Sequence, residues 1–235
     1  MATTLDFARF EALTFDCYGT LIDWEQGIAR ALQTVCRRHG VERADAELLA
    51  LFAETEAPIQ DGPFRSYRDV LDETMRRLAG RLGFAANPDD VRALSTSLPT
   101  WPPFDDTIAA LRALGRRYRL GILSNVDDDL FAASAAQLGA TFDWVVTAQQ
   151  VRSYKPARAN FHRLLQRIGL PWERVLHVAQ SRFHDIAPAR SLGLATVWVN
   201  RHADRAGGGA TPAAEAMPDL TVPSLAALAR LATPA

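Results

Sequence analysis

The chain has 235 residues, with 26 Lys and Arg against 27 Asp and Glu and a formal charge of −1. That balance excludes a nucleic-acid partner, which needs clustered positive charge, and no apolar run approaches the roughly 20 residues that span a bilayer. The N-terminus carries no basic stretch ahead of an apolar one, and Cys17 and Cys36 match no metal or redox spacing, so a cytoplasmic protein with reduced thiols is expected.

The first element is the apolar run Ala12–Phe15, which stops on a carboxylate in "LTFDCYGTLID". Cys17 follows at once, but alternation at a strand end turns its side chain away from its neighbours, and a buried thiol is expected. From Trp24 to Ser97 the pattern is helical, with Ile28, Leu32 and Val35 on one face and Val70, Leu71, Met75 and Leu78 on another. "PTWPPF" at Pro99–Phe104 ends that stretch stiffly. Helical periodicity near Phe104–Tyr118 leads into a strand at Leu120–Leu123. Strands at Trp144–Thr147, Val175–Ala179 and Ala195–Val199 then alternate with helices near Asp128–Leu138, Ala159–Ile168 and Ile186–Leu192. A Gly-rich surface loop is expected at Arg205–Pro212, and a short strand at Asp219–Val222 precedes a final helix. Continuous apolar strands alternating with helices imply an α/β protein with a doubly wound, Rossmann-like parallel sheet. The domain boundaries follow: a core of residues 1–20 and 98–235, with an inserted all-helical cap at 21–97.

Chemistry gathers at the carboxyl ends of the strands, where open α/β sheets bind ligands. Asp16, Tyr18 and Thr20 follow the first strand, and Ser124 and Asn125 the second. Lys155 in "RSYKPARANF" lies beyond the third, and "AQSRFHD" after the fourth supplies Gln180, Ser181, Arg182, His184 and Asp185. Any one of these clusters is what helix capping would produce; four along one sheet edge are hard to assign to capping.

This order resembles the haloacid dehalogenase superfamily: Asp16–Thr20, Ser124, Lys155 in "YKP" and Asp185 match its four motifs, and the helical insert matches its cap. The resemblance implies that Asp16 is a nucleophile forming a covalent intermediate, with Lys155 holding it ionised. Thr20 and Ser124 offer hydroxyls to a substrate oxygen, and Asn125 orients the nucleophile or its loop. Asp185 pairs with Lys155 or helps activate water. The superfamily's phosphatases typically carry an acid two residues after the nucleophile that protonates the leaving alcohol and helps bind Mg²⁺. Here that residue is Tyr18, whose phenol, with an ordinary pKa of ~10, does not ionise at pH 7. A halide leaving group needs no proton, and "D-x-Y-G-T" is similar to the L-2-haloacid dehalogenase branch, whose members work without metal. A small carboxylate substrate and no cofactor are therefore expected.

Several residues depart from that branch. Its second cap helix usually carries an arginine, which "LFAETEAPIQ" lacks; Arg65, Arg68 and Arg182 are the candidate replacements. Gln180-Ser181-Arg182 stands where the branch has Ser-x-Asn, and Phe161 stands where it has a tyrosine. His184 is expected to hydrogen-bond within its loop rather than act as a base. A Mg²⁺-dependent phosphatase and a non-catalytic binding protein on the same scaffold are the competing readings. Apolar cap-helix faces permit a homodimer without requiring one.

Overall fold

The structure is a computed structural model and describes residues 5–201 and 214–233; the Gly-rich segment expected as a surface loop lies outside the described residues. Strands β1 (Ala12–Phe15), β2 (Arg119–Ser124), β3 (Trp144–Thr147), β4 (Val175–Ala179), β5 (Ala195–Val199) and β6 (Leu220–Val222) form one all-parallel sheet in the order β3-β2-β1-β4-β5-β6. Every residue of β1 and β4 is buried, as strands covered by helices on both faces must be. Phe15 is level with Ile122 on one side and Val178 on the other. Successive strands run outward in both directions from β1 and β4, so the crevice at the reversal opens between the ends of those two strands. Asp16 leaves β1 at that point.

Between β1 and the Pro99–Phe104 segment lie α1 (Trp24–Arg38), α2 (Asp45–Gln60), α3 (Tyr67–Leu82), α4 (Pro88–Val91) and α5 (Ala93–Ser97). They pack on one another, α1 against α2 and α5, and α3 against α2 and α5. Their apolar faces meet in one cluster that includes Ile28, Leu32, Phe52, Leu71 and Met75, which are the periodic positions of the sequence. The chain leaves and rejoins the core side by side, with Asp23 N donating to Pro102 O at 2.8 Å and Phe104 N to Leu21 O at 3.1 Å. α1 closes onto Trp101 so tightly that a Cβ at Gly27 would lie 2.2 Å from the indole Cγ. Asp127 of the core accepts the first amides of α3, from Tyr67 N at 2.8 Å and Arg68 N at 2.9 Å, and so anchors the helical layer over the strand ends.

The remaining helices are α6 (Thr107–Leu114), α7 (Asp128–Leu138), α8 (Ala148–Val151), α9 (Arg158–Ile168), α10 (Ala187–Ser191) and α11 (Leu225–Ala232). α6 is shorter than the periodicity predicts, because Pro102 and Pro103 hold the chain extended before it and Gly115 ends it. No helix among the described residues is long and apolar enough to cross a membrane.

Candidate active site

Asp16 is 7% exposed at the end of β1. Gly19 then turns the chain at φ +91°, a conformation that disfavours any side chain, and a Cβ there would come within 3.2 Å of both Trp24 and Gln180. The turn brings Thr20 back over its neighbour, where its hydroxyl donates to Asp16 Oδ2 at 2.7 Å and accepts the Gln180 amide at 2.9 Å. From the far side Lys155 Nζ donates to Asp16 Oδ1 at 2.8 Å, to Asp185 Oδ1 at 2.6 Å and to Leu123 O at 3.0 Å, using all three of its protons. Asn125 fixes the lysine's loop rather than the nucleophile: it accepts from Lys155 N at 2.7 Å and donates to Lys155 O at 3.0 Å.

One ammonium thus serves two buried carboxylates, and the two respond differently. Burial raises the Asp16 carboxyl above its ordinary range, more than Lys155 lowers it. Asp185 also suffers burial, but Lys155 and a hydrogen bond from His177 hold it below the carboxylate range. Burial opposes the charge on Lys155, and the two carboxylates more than restore it. The lowered pKa expected of Asp16 belongs instead to Asp185: there Lys155 and His177 outweigh burial, whereas at Asp16 burial and the neighbouring Asp185 charge outweigh Lys155 and the Thr20 hydrogen bond. A more basic carboxylate is the better nucleophile of the two.

The cavity over these groups has a volume of about 490 Å³ and is lined by aromatic rings of Tyr18, Trp24, Phe64, Tyr67, Tyr154 and Phe183. Tyr18 presents its ring; its hydroxyl is 2.9 Å from Ser134 Oγ, and burial pushes the phenol pKa up. Gln180, Ser181 and His184 line the wall. His184 hydrogen-bonds within its own loop to Ser181 Oγ, through Nδ1 at 3.2 Å and its backbone N–H at 2.9 Å, and burial pulls its pKa down to about 4. It is therefore neutral at pH 7. Cys17 is buried in the hydrophobic core, its thiol pKa pushed up by that burial. Ser124, at the end of β2, is buried outside the cavity wall, and no group among the described residues hydrogen-bonds its hydroxyl.

The expected replacement arginines sit elsewhere. The Arg182 guanidinium stacks 3.8 Å above the Trp198 ring, Arg68 pairs with Asp129 at 2.6 Å, and Arg65 is exposed and offers only its carbonyl, to Tyr154. None of the three lines the cavity. The arginine that does is Arg152, at the mouth, its guanidinium over Phe64 and without a carboxylate partner among the described residues. Its only sequence signal is its place three residues before Lys155. The cap side contributes Glu56, hydrogen-bonded by Gln60 and Tyr67 and raised by burial to about 7. It lies within "LFAETEAPIQ", where the resemblance led to an arginine.

The donor set does not fit a hard divalent cation. Lys155 already bridges the carboxylate oxygens that would hold one, and the third position is a phenol bonded to Ser134. Among the described residues, no group of three His, Cys, Asp or Glu side chains is placed to hold a metal.

Residues 10–193 match the haloacid dehalogenase-like hydrolase family. A similar protein is the (S)-2-haloacid dehalogenase H-109 of Pseudomonas putida, 27% identical over 81% of this chain and 86% of that protein. Another is the haloacetate dehalogenase H-2 of Moraxella sp. (strain B), 23% identical over 95% and 98%. The fold superposes on the crystal structure of the L-2-haloacid dehalogenase PA0810 with a TM-score of 0.80 and 26% identity, covering 94% of this chain and 97% of that one.

Proposed function

Since the chain belongs to the haloacid dehalogenase-like hydrolases, we propose that it releases halide from a small 2-haloacid by hydrolysis. The observation that carries this reading is a buried, basic Asp16 carboxylate facing an aromatic cavity, with Tyr18 where a proton-donating acid would otherwise stand. In the first step an Asp16 oxygen bonds to C2, the carbon–halogen bond breaks, and the halide leaves with the electron pair. Aromatic edges receive the halide, and Arg152 receives the substrate carboxylate at the cavity mouth. In the second step water attacks the Asp16 ester carbonyl, passing a proton to Asp185. The ester C–O bond breaks, that proton goes to the departing alkoxide, and a 2-hydroxy acid is released. Lys155 holds both carboxylates in register through the cycle.

One observation favours a second reading. Glu56 titrates near neutrality on the cavity wall, so it is able to protonate an oxygen leaving group. The two are separated by assaying 2-chloropropionate, chloroacetate and p-nitrophenyl phosphate, each with and without Mg²⁺ and EDTA. Halide release indifferent to EDTA, and lost in Asp16→Asn, is expected. Phosphate release that needs Mg²⁺, with no halide from either haloacid, overturns the dehalogenase reading. Single-turnover hydrolysis in ¹⁸O-water is expected to label Asp16 before the product.

A further inference from the structure

His177 lies in the middle of β4, fully buried in "VLHVA", where a polar ring is costly unless both nitrogens are satisfied. Both are. Nε2 is 3.0 Å from Asp185 Oδ1, and Nδ1 is 2.9 Å from the Thr14 hydroxyl on the neighbouring strand β1. Asp185 accepts only, so Nε2 carries a proton. The Thr14 hydroxyl has one hydrogen and two candidate acceptors, Nδ1 at 2.9 Å and Leu176 O at 3.5 Å. The shorter contact favours donation from Thr14 to Nδ1.

The consequence falls on Asp185. Lys155 and His177 both bind Oδ1, while no group among the described residues hydrogen-bonds the buried Oδ2. Asp185 is a lining residue of the cavity, held by one oxygen, and its other oxygen has no hydrogen-bond partner among the described residues. Phe161, the position at which the resembling branch has a tyrosine, has no hydroxyl and packs its ring at 78° against His177, with centroids 5.4 Å apart.

We propose that His177, braced by Thr14, is a positioning residue for the second half of the reaction: it locks Asp185 through Oδ1 so that Oδ2 takes the proton of the water that attacks the Asp16 ester. This rests on the two-step reading above. The inference predicts a split between the steps, because Asp16 attack needs Lys155 and Thr20 but not His177.

The test is rapid-quench kinetics of the full chain with 2-chloropropionate, comparing the parent with His177→Leu, His177→Gln and Thr14→Val, and intact mass recorded on the quenched protein. In His177→Leu, the burst of about one chloride per chain is expected to persist while 2-hydroxy acid formation slows about 10- to 100-fold. The mass of the Asp16 ester then accumulates. Glutamine, whose amide donates to Asp185 and whose carbonyl accepts from Thr14, restores most of the lost rate. Hydroxy acid formed at the parental rate in His177→Leu overturns the inference. So does equal slowing of both steps with no rescue by glutamine, the pattern of a merely structural residue. A second measurement needs no substrate and so stands if the dehalogenase reading fails or the leucine variant does not fold. Ring ¹⁵N shifts of the labelled parent at pH 7 are expected to show Nε2 protonated and Nδ1 bare, with the Nδ1 shift moving in Thr14→Val. A proton on Nδ1 overturns the proposal.

Discussion

Lys155 is the residue on which the site's electrostatics turn, since it is the bridge between two carboxylates that burial would otherwise force to protonate. Removing one partner of a buried ion pair costs about 3–5 kcal/mol because the charge left behind is uncompensated. Lys155→Met is expected to lose that order of stability at pH 7 in urea unfolding, and about 10²–10³-fold in halide release. The stability gap to the parent should narrow on acidification, as Asp16 and Asp185 protonate in the variant and the parent loses the contribution of its depressed Asp185. Glu56 behaves oppositely. Its folded pKa of about 7 lies above the ordinary 4.5, so the folded state holds a proton that the unfolded chain releases between those values. Stability then falls as pH rises through that window. Glu56→Gln removes the effect and should be more stable than the parent at pH 8 by on the order of 2–3 kcal/mol, with no gain below pH 4.5. Parallel unfolding curves at pH 4 and pH 8 check both signs.

At the scale of elements, the helical layer shares an apolar cluster with the strands and is fixed over their ends by specific contacts. The first turn of α3 has its free amides capped by a core residue rather than by its own chain alone, so Asp127 is both helix cap and clasp. Asp127→Ala is expected to cost about 1–2 kcal/mol, to speed exchange of the Tyr67 and Arg68 amides, and to raise KM more than it lowers kcat. Amide exchange unchanged at those two positions would remove Asp127 from that role. α1 is fixed differently, by the absence of a side chain. Gly27→Ala places a methyl into the Trp101 ring, and overpacking of this kind costs about 1–3 kcal/mol. Trp101 meets Tyr18 edge to face at 6.0 Å, so the strain also reaches the cavity wall.

For the molecule as a whole, the loops that follow the strands contribute the reactive groups and share the cavity walls with the helical layer. The cavity of about 490 Å³ falls within the range that accommodates drug-sized ligands, well beyond a three-carbon acid. Longer 2-haloacids are therefore expected to be substrates: 2-bromohexanoate should release bromide with a kcat/KM at least equal to that for 2-bromopropionate. A preference for the shorter acid would mean that the walls close inward on binding.

The sequence by itself determined the sheet and the edge on which chemistry collects. Runs such as Ala12–Phe15 and Val175–Ala179 are apolar apart from Thr14 and His177 because parallel strands are buried on both faces, and Asp16, Lys155 and Asp185 follow the ends of such strands. These features follow from local pattern and chain order, so they were legible residue by residue. Which cation faces the cavity was not. Arg182 and Arg65 are near the right loops but lie against Trp198 and solvent, while Arg152 reaches the mouth, because the direction of a long flexible side chain is set by the packing around it. The opposite responses of Asp16 and Asp185 likewise depend on burial and on His177, a residue that reads in sequence as one polar interruption in a core strand. Burial and hydrogen-bond partnership are properties of the assembled interior, and only the tertiary structure decided them.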